Sequence, residues 1–240
     1  DNLCFAHEDI QFDTIGWGEK IISKLSETDC GVIGFAGTTA RISALCGIGL
    51  SRAHWRSNYI QHMNKGGMKS CFKNPDRVEF SPVVSVDGMC LFVSRKVWQK
   101  VRFDEKTFPN FHLYDLDFTT AVFRAGCINY ICNTVIVEHF SEGYYTQEWL
   151  AATIDFNNKW RNALPLYVSG FPCIKNLDRY VRSREFRFIK AMMKSRGKCS
   201  WELIDGLCRQ YYRKYPFYRS IVVWFHAYRY RKRWKREGRL

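Results

Sequence analysis

Three apolar runs constrain this chain more than any other feature. They are GVIGFAGT (31–38), VVSVDGMCLFVSR (83–95) and CINYICNTVIVEHF (127–140). GVIGFAGT reads as a strand that runs into a Gly-rich turn, and the other two, which do not alternate cleanly between apolar and polar residues, read as strands buried on both faces. The middle run is broken only by Asp87-Gly88 and reads as one strand. DNLCFAH (1–7) reads as a short buried strand ending in a polar cluster. Helical signals alternate with these runs. GWGEKIISKLSET (16–28) places Ile21, Ile22 and Leu25 on one side, and SRKVWQKV (94–101) has Ser94 as cap. FHLYDLDFTTAVFRAG (111–126) ends at Gly126, and TQEWLAATIDFNNKWRNAL (146–164) starts at Thr146 and stops before Pro165. Residues 39–80 read as loop-rich, with weak strand signals around 53–60. Strands alternating with helices predict an α/β domain.

Charge divides the chain. Residues 1–176 hold 18 basic and 18 acidic side chains, whereas 177–240 hold 19 basic and 5 acidic and carry the whole net charge of +14. That shift predicts two regions with different tasks. In the basic region, 177–195 and 211–236 read as cationic amphipathic helices rich in aromatic residues. Three readings are open for them: contact with an anionic membrane, tracking of a nucleic-acid backbone, or solvated helices packed on the rest of the protein. No nucleic-acid fold motif is visible, which disfavours the second. The longest apolar stretch there, SIVVWFHAY (220–228), is far short of the roughly 20 residues a membrane span needs. Ten cysteines lie scattered, several inside apolar runs and none in a CxxC pair. They read as small core hydrophobes in a reducing compartment, not as zinc ligands.

The groups able to do chemistry stand where strands end or helices begin. His7-Glu8-Asp9 follows the first strand, Asp87-Gly88 interrupts a buried one, and Glu138-His139 closes the run at 127–140. Asp115 and Asp117 open a helix. Ligands of α/β sheets collect at strand ends. A divalent cation on a phosphate takes oxygen ligands with an occasional imidazole, which Asp9 and His139 provide. Asp115 is then a separate carboxylate, free to accept a proton from a hydroxyl. Each residue also has a plainer role. Asp9 suits a turn, Asp115 a helix N-terminus, and Asp87, Asp117 and His139 suit satisfied structural positions. Trp160 suits a core. His54, His62, His112 and His226 attract no functional role.

The ordered series HED, VDGMCLFVSRKVW, FDE, FHLYDLDF, VEHF and NKW resembles GT-A glycosyltransferases of the family 2 type. It looks closest to the bacterial glycosyltransferase-like domain also found in streptomycin-biosynthesis proteins. The resemblance covers roughly residues 1–165 and lies in the series, not in one motif. It implies an α/β fold of GT-A type, a mixed sheet flanked by helices over 1–165, followed by a basic helical region over 166–240. It implies transfer of a sugar from a nucleotide-diphosphate donor to a hydroxyl of a glycan or lipid-linked acceptor, with inversion. HED takes the place of the DxD motif, so Asp9 holds Mg²⁺ or Mn²⁺, with His7 and Glu8 beside the substrate. Asp87 and Gly88 line the sugar pocket, and Asp115 is the general base. Asp117 supports that loop, His139 reaches the metal or diphosphate, and Trp160 walls the acceptor side. Two departures stand out: His7 replaces the first acid of DxD, and the chain begins just before that motif. The second leads us to expect that a nucleotide-binding half precedes Asp1. The resemblance also leads us to expect a cytoplasmic enzyme, peripheral at the inner face of a membrane. A non-catalytic scaffold on a truncated transferase fold is the alternative.

Overall fold

The computed structural model describes residues 1–48, 53–143, 146–171, 173–194 and 199–238. The chain opens with β1 (Asn2–Ala6), β2 (Ile10–Phe12), α1 (Trp17–Leu25), β3 (Cys30–Gly34), β4 (Ala36–Thr38) and β5 (Ala40–Arg41). It continues through β6 (Trp55–His62), β7 (Met68–Lys73), β8 (Phe80–Val83), β9 (Ser85–Val86), β10 (Cys90–Ser94), α2 (Arg95–Lys100) and α3 (Tyr114–Arg124). β11 (Ile128–Cys132), β12 (Val137–His139), α4 (Gln147–Trp160) and β13 (Leu166–Tyr167) follow, and α5 (Leu177–Lys194), α6 (Trp201–Lys214) and α7 (Tyr218–Arg236) close it. The class is α/β, as expected.

Contacts divide the chain into two compact units. The first comprises Asp1–Ile42, Gly47–Gly143 and Asn162–Cys173, and the second Ser43–Cys46, Tyr144–Arg161 and Ile174–Leu240. The first unit is built on a mixed sheet in the order β1-β10-β3-β11-β8, in which only the β3–β11 pair is parallel. Because strand side chains alternate between faces, this sheet feeds two cores. Ile33, Cys90, Phe92, Tyr130 and Cys132 join Ile21 and Leu25 of α1 on one face. Val32, Leu91, Val93 and Ile131 join Val97 of α2 and Phe118 and Val122 of α3 on the other. Burial on both faces accounts for the continuous apolar runs. A second mixed sheet, β2-β12-β6-β4-β9 with β7 beside β6, carries the strand ends that matter for function.

Several expectations need correction. The run at 83–95 is not one strand: β9 and β10 belong to different sheets, and Asp87-Gly88 is the crossing between them. The run at 127–140 likewise splits into β11 of the first sheet and β12 of the second. Within 31–38 the expected Gly-rich turn is instead a second strand, β4, which joins the second sheet while β3 stays in the first. Apolar periodicity cannot show a change of sheet. β1 is an edge strand with alternate residues exposed, not a buried one. Ile22 is 56% exposed, so only Ile21 and Leu25 anchor α1. Residues 39–80 hold the hairpin β6–β7, whose polar sequence hid an eight-residue strand. The caps are as expected. Ser94 accepts from the Val97 N–H and Thr146 from the Trp149 N–H, and Gly126 follows α3 at φ +90°.

The second unit is helical and includes α4 as well as the basic region. Leu150 of α4, Phe188, Ile189, Met192 and Met193 of α5, Trp201, Ile204 and Leu207 of α6, and Val223 and Trp234 of α7 form its core. Among the described residues the basic region holds three helices where the sequence pattern indicates two: α6 begins in WELIDGLCRQ, and the stretch read as one helix over 211–236 is divided between the end of α6 and α7. No described helix is long and apolar enough to cross a membrane.

Candidate functional site

The site grows from the end of β1. The His7 N–H donates to the Met89 carbonyl at 3.0 Å, tying the HED turn to the segment after Asp87-Gly88. β2 leaves that turn and pairs antiparallel with β12, setting His139 opposite Ile10. The Phe140 N–H then donates to the Asp9 carbonyl at 2.9 Å. These backbone bonds converge three side chains. His7, Asp9 and His139 each offer one ligand atom, all within 4.8 Å of one another. Asp9 Oδ1 lies 3.8 Å from His7 Nδ1 and 3.6 Å from His139 Nε2. His7 was expected beside the substrate; it stands among the groups able to hold a cation.

The protonation of this cluster follows from its neighbours. The Gln61 amide N–H₂ donates to the carbonyls of His62, His139 and Ser141, so its Oε1 is the acceptor facing His139 Nδ1 at 3.2 Å. Nδ1 therefore carries the proton and Nε2 keeps its lone pair. Nε2 is buried, lacks a hydrogen-bond partner, and lies on the side of Asp9. Burial lowers the His139 pKa against the opposing pull of Asp9, which keeps the ring neutral near pH 7. An imidazole fixed in one tautomer by a polar neighbour is the usual form of a metal ligand. Partial burial opposes ionisation of Asp9, but the Ser141 hydroxyl, His139, its own backbone N–H and His7 outweigh it, and the carboxyl lies below its ordinary range. Two imidazole nitrogens and one carboxylate form a donor set that suits Mg²⁺ less well than Mn²⁺, because imidazole is the softer ligand.

Beside this cluster stands a carboxyl pair. The Gly88 N–H donates to Asp115 Oδ2 at 2.7 Å, and Asp87 Oδ1 accepts from the Met89 N–H at 3.2 Å. Burial and then the charge of Asp87 push Asp115 up to about 7, although three backbone N–H groups favour its ionised form. Burial also raises Asp87, against the opposing influence of the Met89 N–H, His139 and His7. Two nearby carboxyls that resist simultaneous ionisation are a familiar acid–base device. Leu113, which precedes α3, has φ +63°, a costly conformation for a branched residue. It turns the chain so that Asp115 falls in the first turn of α3.

The pair is held firmly. Thr119 Oγ1 donates to the Asp115 carbonyl at 2.8 Å and accepts from the Val86 N–H at 3.1 Å, joining α3 to β9. The Ser85 and Thr120 hydroxyls meet at 2.9 Å. Buried Asn129 accepts from the Val32 N–H and donates to the carbonyls of Val84 and Thr119.

Other residues fall elsewhere. Glu8 is exposed in the turn between His7 and Asp9. Asp117 is 1% exposed within α3, a supporting position with no open face for substrate. Trp160 ends α4 in the second unit, its ring 6.4 Å from that of Phe156. Phe111, 65% exposed with its ring 5.3 Å from His7, was not singled out from the sequence, and neither were Gln61 and Ser141. An exposed aromatic beside charged groups is a signal available only once the fold is known.

No family model matches the chain, no curated protein matches it, and no solved structure matches it. The resemblance therefore rests on the residues themselves.

Proposed function

We propose that the first unit is the catalytic part of a metal-dependent glycosyltransferase of GT-A type. It moves a sugar from a nucleotide-diphosphate donor to a hydroxyl of a glycan or lipid-linked acceptor. One observation carries this reading: a carboxyl poised near pH 7, Asp115 in the first turn of α3, is held by the Gly88 N–H, and the flanking Asp87 and Met89 adjoin a three-residue donor cluster whose buried nitrogen lacks a partner. Base and cation site together suit attack by a hydroxyl on a phosphate-activated centre. The sugar donor is the contribution of the resemblance.

In this reading His7, Asp9 and His139 hold Mn²⁺ or Mg²⁺, which supplies positive charge to the leaving diphosphate. Asp115 accepts the proton of the acceptor hydroxyl as its oxygen attacks the anomeric carbon. Asp87 keeps the shared proton balance poised, and the Gly88 N–H fixes the direction of the Asp115 lone pair. Phe111 gives a sugar ring an apolar face on which to stack. The basic helices contact an anionic membrane from the cytoplasmic side.

Calorimetric titration of a nucleoside-diphosphate panel, with and without Mn²⁺, tests the reading. Mn²⁺-dependent binding that is lost in Asp9→Ala supports it. Mn²⁺-independent binding, or none, defeats it for this chain.

A further inference from the structure

The second unit carries a site of its own. Lys190 and Lys194 of α5 and His226, Arg229, Tyr230, Arg233 and Arg236 of α7 line a surface-open cavity of about 290 Å³. Five of these seven side chains are formal cations. Among the described residues, Arg233 has an ion-pair partner, Glu237, while Lys190, Lys194, Arg229 and Arg236 have none. A protein gains no stability from crowding unpaired cations around a cavity, so the arrangement calls for a multiply charged anion. Three guanidinium groups suit phosphate oxygens, which they grip in pairs. The volume lies at the small end of ligand pockets, the size of a headgroup.

The exposed apolar residues of the same helix favour a lipid over a soluble source of that phosphate. Ile221, Trp224 and Tyr228 recur at spacings of three and four on one face of α7, Phe217 caps that helix, and Phe225 stands between this face and the pocket, with the Arg229 guanidinium 5.7 Å from its ring centre. Phe217, Ile221, Trp224 and Tyr228 are 85%, 65%, 58% and 55% exposed, and Phe225 is 50% exposed. Trp224 and Tyr228 stack at 5.8 Å. Exposed tryptophan and tyrosine next to cations are the composition of a helix lying in a membrane interface. Arg231, Lys232 and Lys235 extend the positive charge along the last turns of α7. A soluble phosphate needs no apolar stripe, whereas a lipid phosphate does.

We propose that the α5–α7 pocket binds the phosphate headgroup of an anionic membrane lipid, with the apolar stripe of α7 seated in the adjoining acyl boundary. The pocket lies wholly in the second unit, and its test is independent of catalysis.

The test is sedimentation of the full chain with phosphatidylcholine vesicles containing phosphatidic acid or, at matched surface charge, phosphatidylserine. Two double variants remove equal charge from exposed positions. Lys194→Ala/Arg229→Ala empties the pocket, and Arg231→Ala/Lys232→Ala leaves it intact. The pocket variant should lose roughly 10–30-fold in affinity for phosphatidic-acid vesicles, the control several-fold less, and Ile221→Ser/Trp224→Ser should also bind weakly. Phosphatidic acid should be preferred to phosphatidylserine. Equal losses in both charge variants, or no preference between the lipids, would leave only general electrostatics and overturn the pocket. Binding of free pyrophosphate by the pocket without vesicle binding would overturn the lipid source. Polynucleotide binding through the same residues, with vesicles ignored, would overturn both.

Discussion

The Gly88 N–H points at Asp115 Oδ2 from 2.7 Å, and a β-carbon on Gly88 would lie 2.8 Å from the Asp115 β-carbon and 3.0 Å from the Tyr114 hydroxyl. The residue that orients the proposed base is thus also the only type that fits beside it. Gly88→Ala must push the first turn of α3 away. Overpacking of this kind costs about 1–3 kcal/mol. We expect a folded protein of reduced stability whose transfer rate falls far more than its donor affinity, because the donor cluster lies on other strands. Steady-state kinetics beside Mn²⁺ titration separates the two. A variant with unaltered turnover removes the positioning argument.

Asp115→Asn keeps the shape and the acceptor for the Gly88 N–H but cannot take up a proton. Loss of a general base costs about 10²–10⁴-fold in rate. Donor binding should survive, and its loss together with activity would mark Asp115 as structural. In the wild type the ionised form prevails only above about pH 7. Turnover should therefore rise with pH through that value and level off above it, a limb that Asp115→Asn lacks.

The same carboxyl leaves a mark on stability. Its pKa is raised from 3.8 in the ordinary state to about 7 in the fold. Between those values the folded chain binds more protons at this position than the unfolded chain, so its contribution to stability falls as pH rises. Below about pH 4 the contribution is complete, and above pH 7 it is gone. Asn has no such proton to lose. Relative to wild type, Asp115→Asn should gain melting temperature as pH climbs from 4 to 7 and hold that gain above 7. Thermal melts across this range check the sign, and a gain that shrinks with pH contradicts the raised pKa.

Asn129 makes three buried hydrogen bonds that no other residue type reproduces, one to β3, one to the segment after β8 and one to α3. Asn129→Ala takes the side-chain partner from the buried Val32 N–H and Val84 carbonyl and removes the extra bond to the Thr119 carbonyl of α3. The expected cost is about 2–4 kcal/mol, read as a lowered urea midpoint of the unfolding transition assigned to the first unit. Because Thr119 loses part of its support, turnover should also fall in the folded fraction.

The sequence made the central sheet legible because burial on both faces writes itself as unbroken apolar runs. It also marked His7, Asp9, Asp87, Asp115 and His139, since charged residues at the ends of such runs are conspicuous. Periodicity does not record which sheet a strand joins. The jump from β9 to β10 and the split of β11 from β12 were therefore hidden, and these two breaks bring Asp87 and His139 to one place. β6 was nearly invisible because WRSNYIQH is polar, and its strand character comes from pairing on both edges. Gln61 was hidden with it. His226 looked like an unremarkable histidine until α5 and α7 met around it.

Gln61 offers the sharpest test of the donor cluster because it touches no cation itself. Register sets it directly opposite His139 across a parallel pair of strands. Its oxygen accepts the Nδ1 proton, which leaves Nε2 free toward Asp9. Gln61→Leu removes the acceptor, so His139 can adopt the other tautomer and protonate the atom meant for the metal. Loss of such a partner costs about 10–100-fold in metal affinity. Gln61→Glu restores an acceptor for Nδ1 and should recover part of that loss, although it forfeits the bonds to three carbonyl groups. Mn²⁺ titration of wild type and both variants gives the order of affinity, and nitrogen NMR of the histidine ring reports the tautomer. An unchanged affinity in Gln61→Leu, with the fold intact, would mean that His139 does not bind the cation through Nε2. The donor cluster would then reduce to His7 and Asp9, too few to hold a metal at the proposed reaction centre.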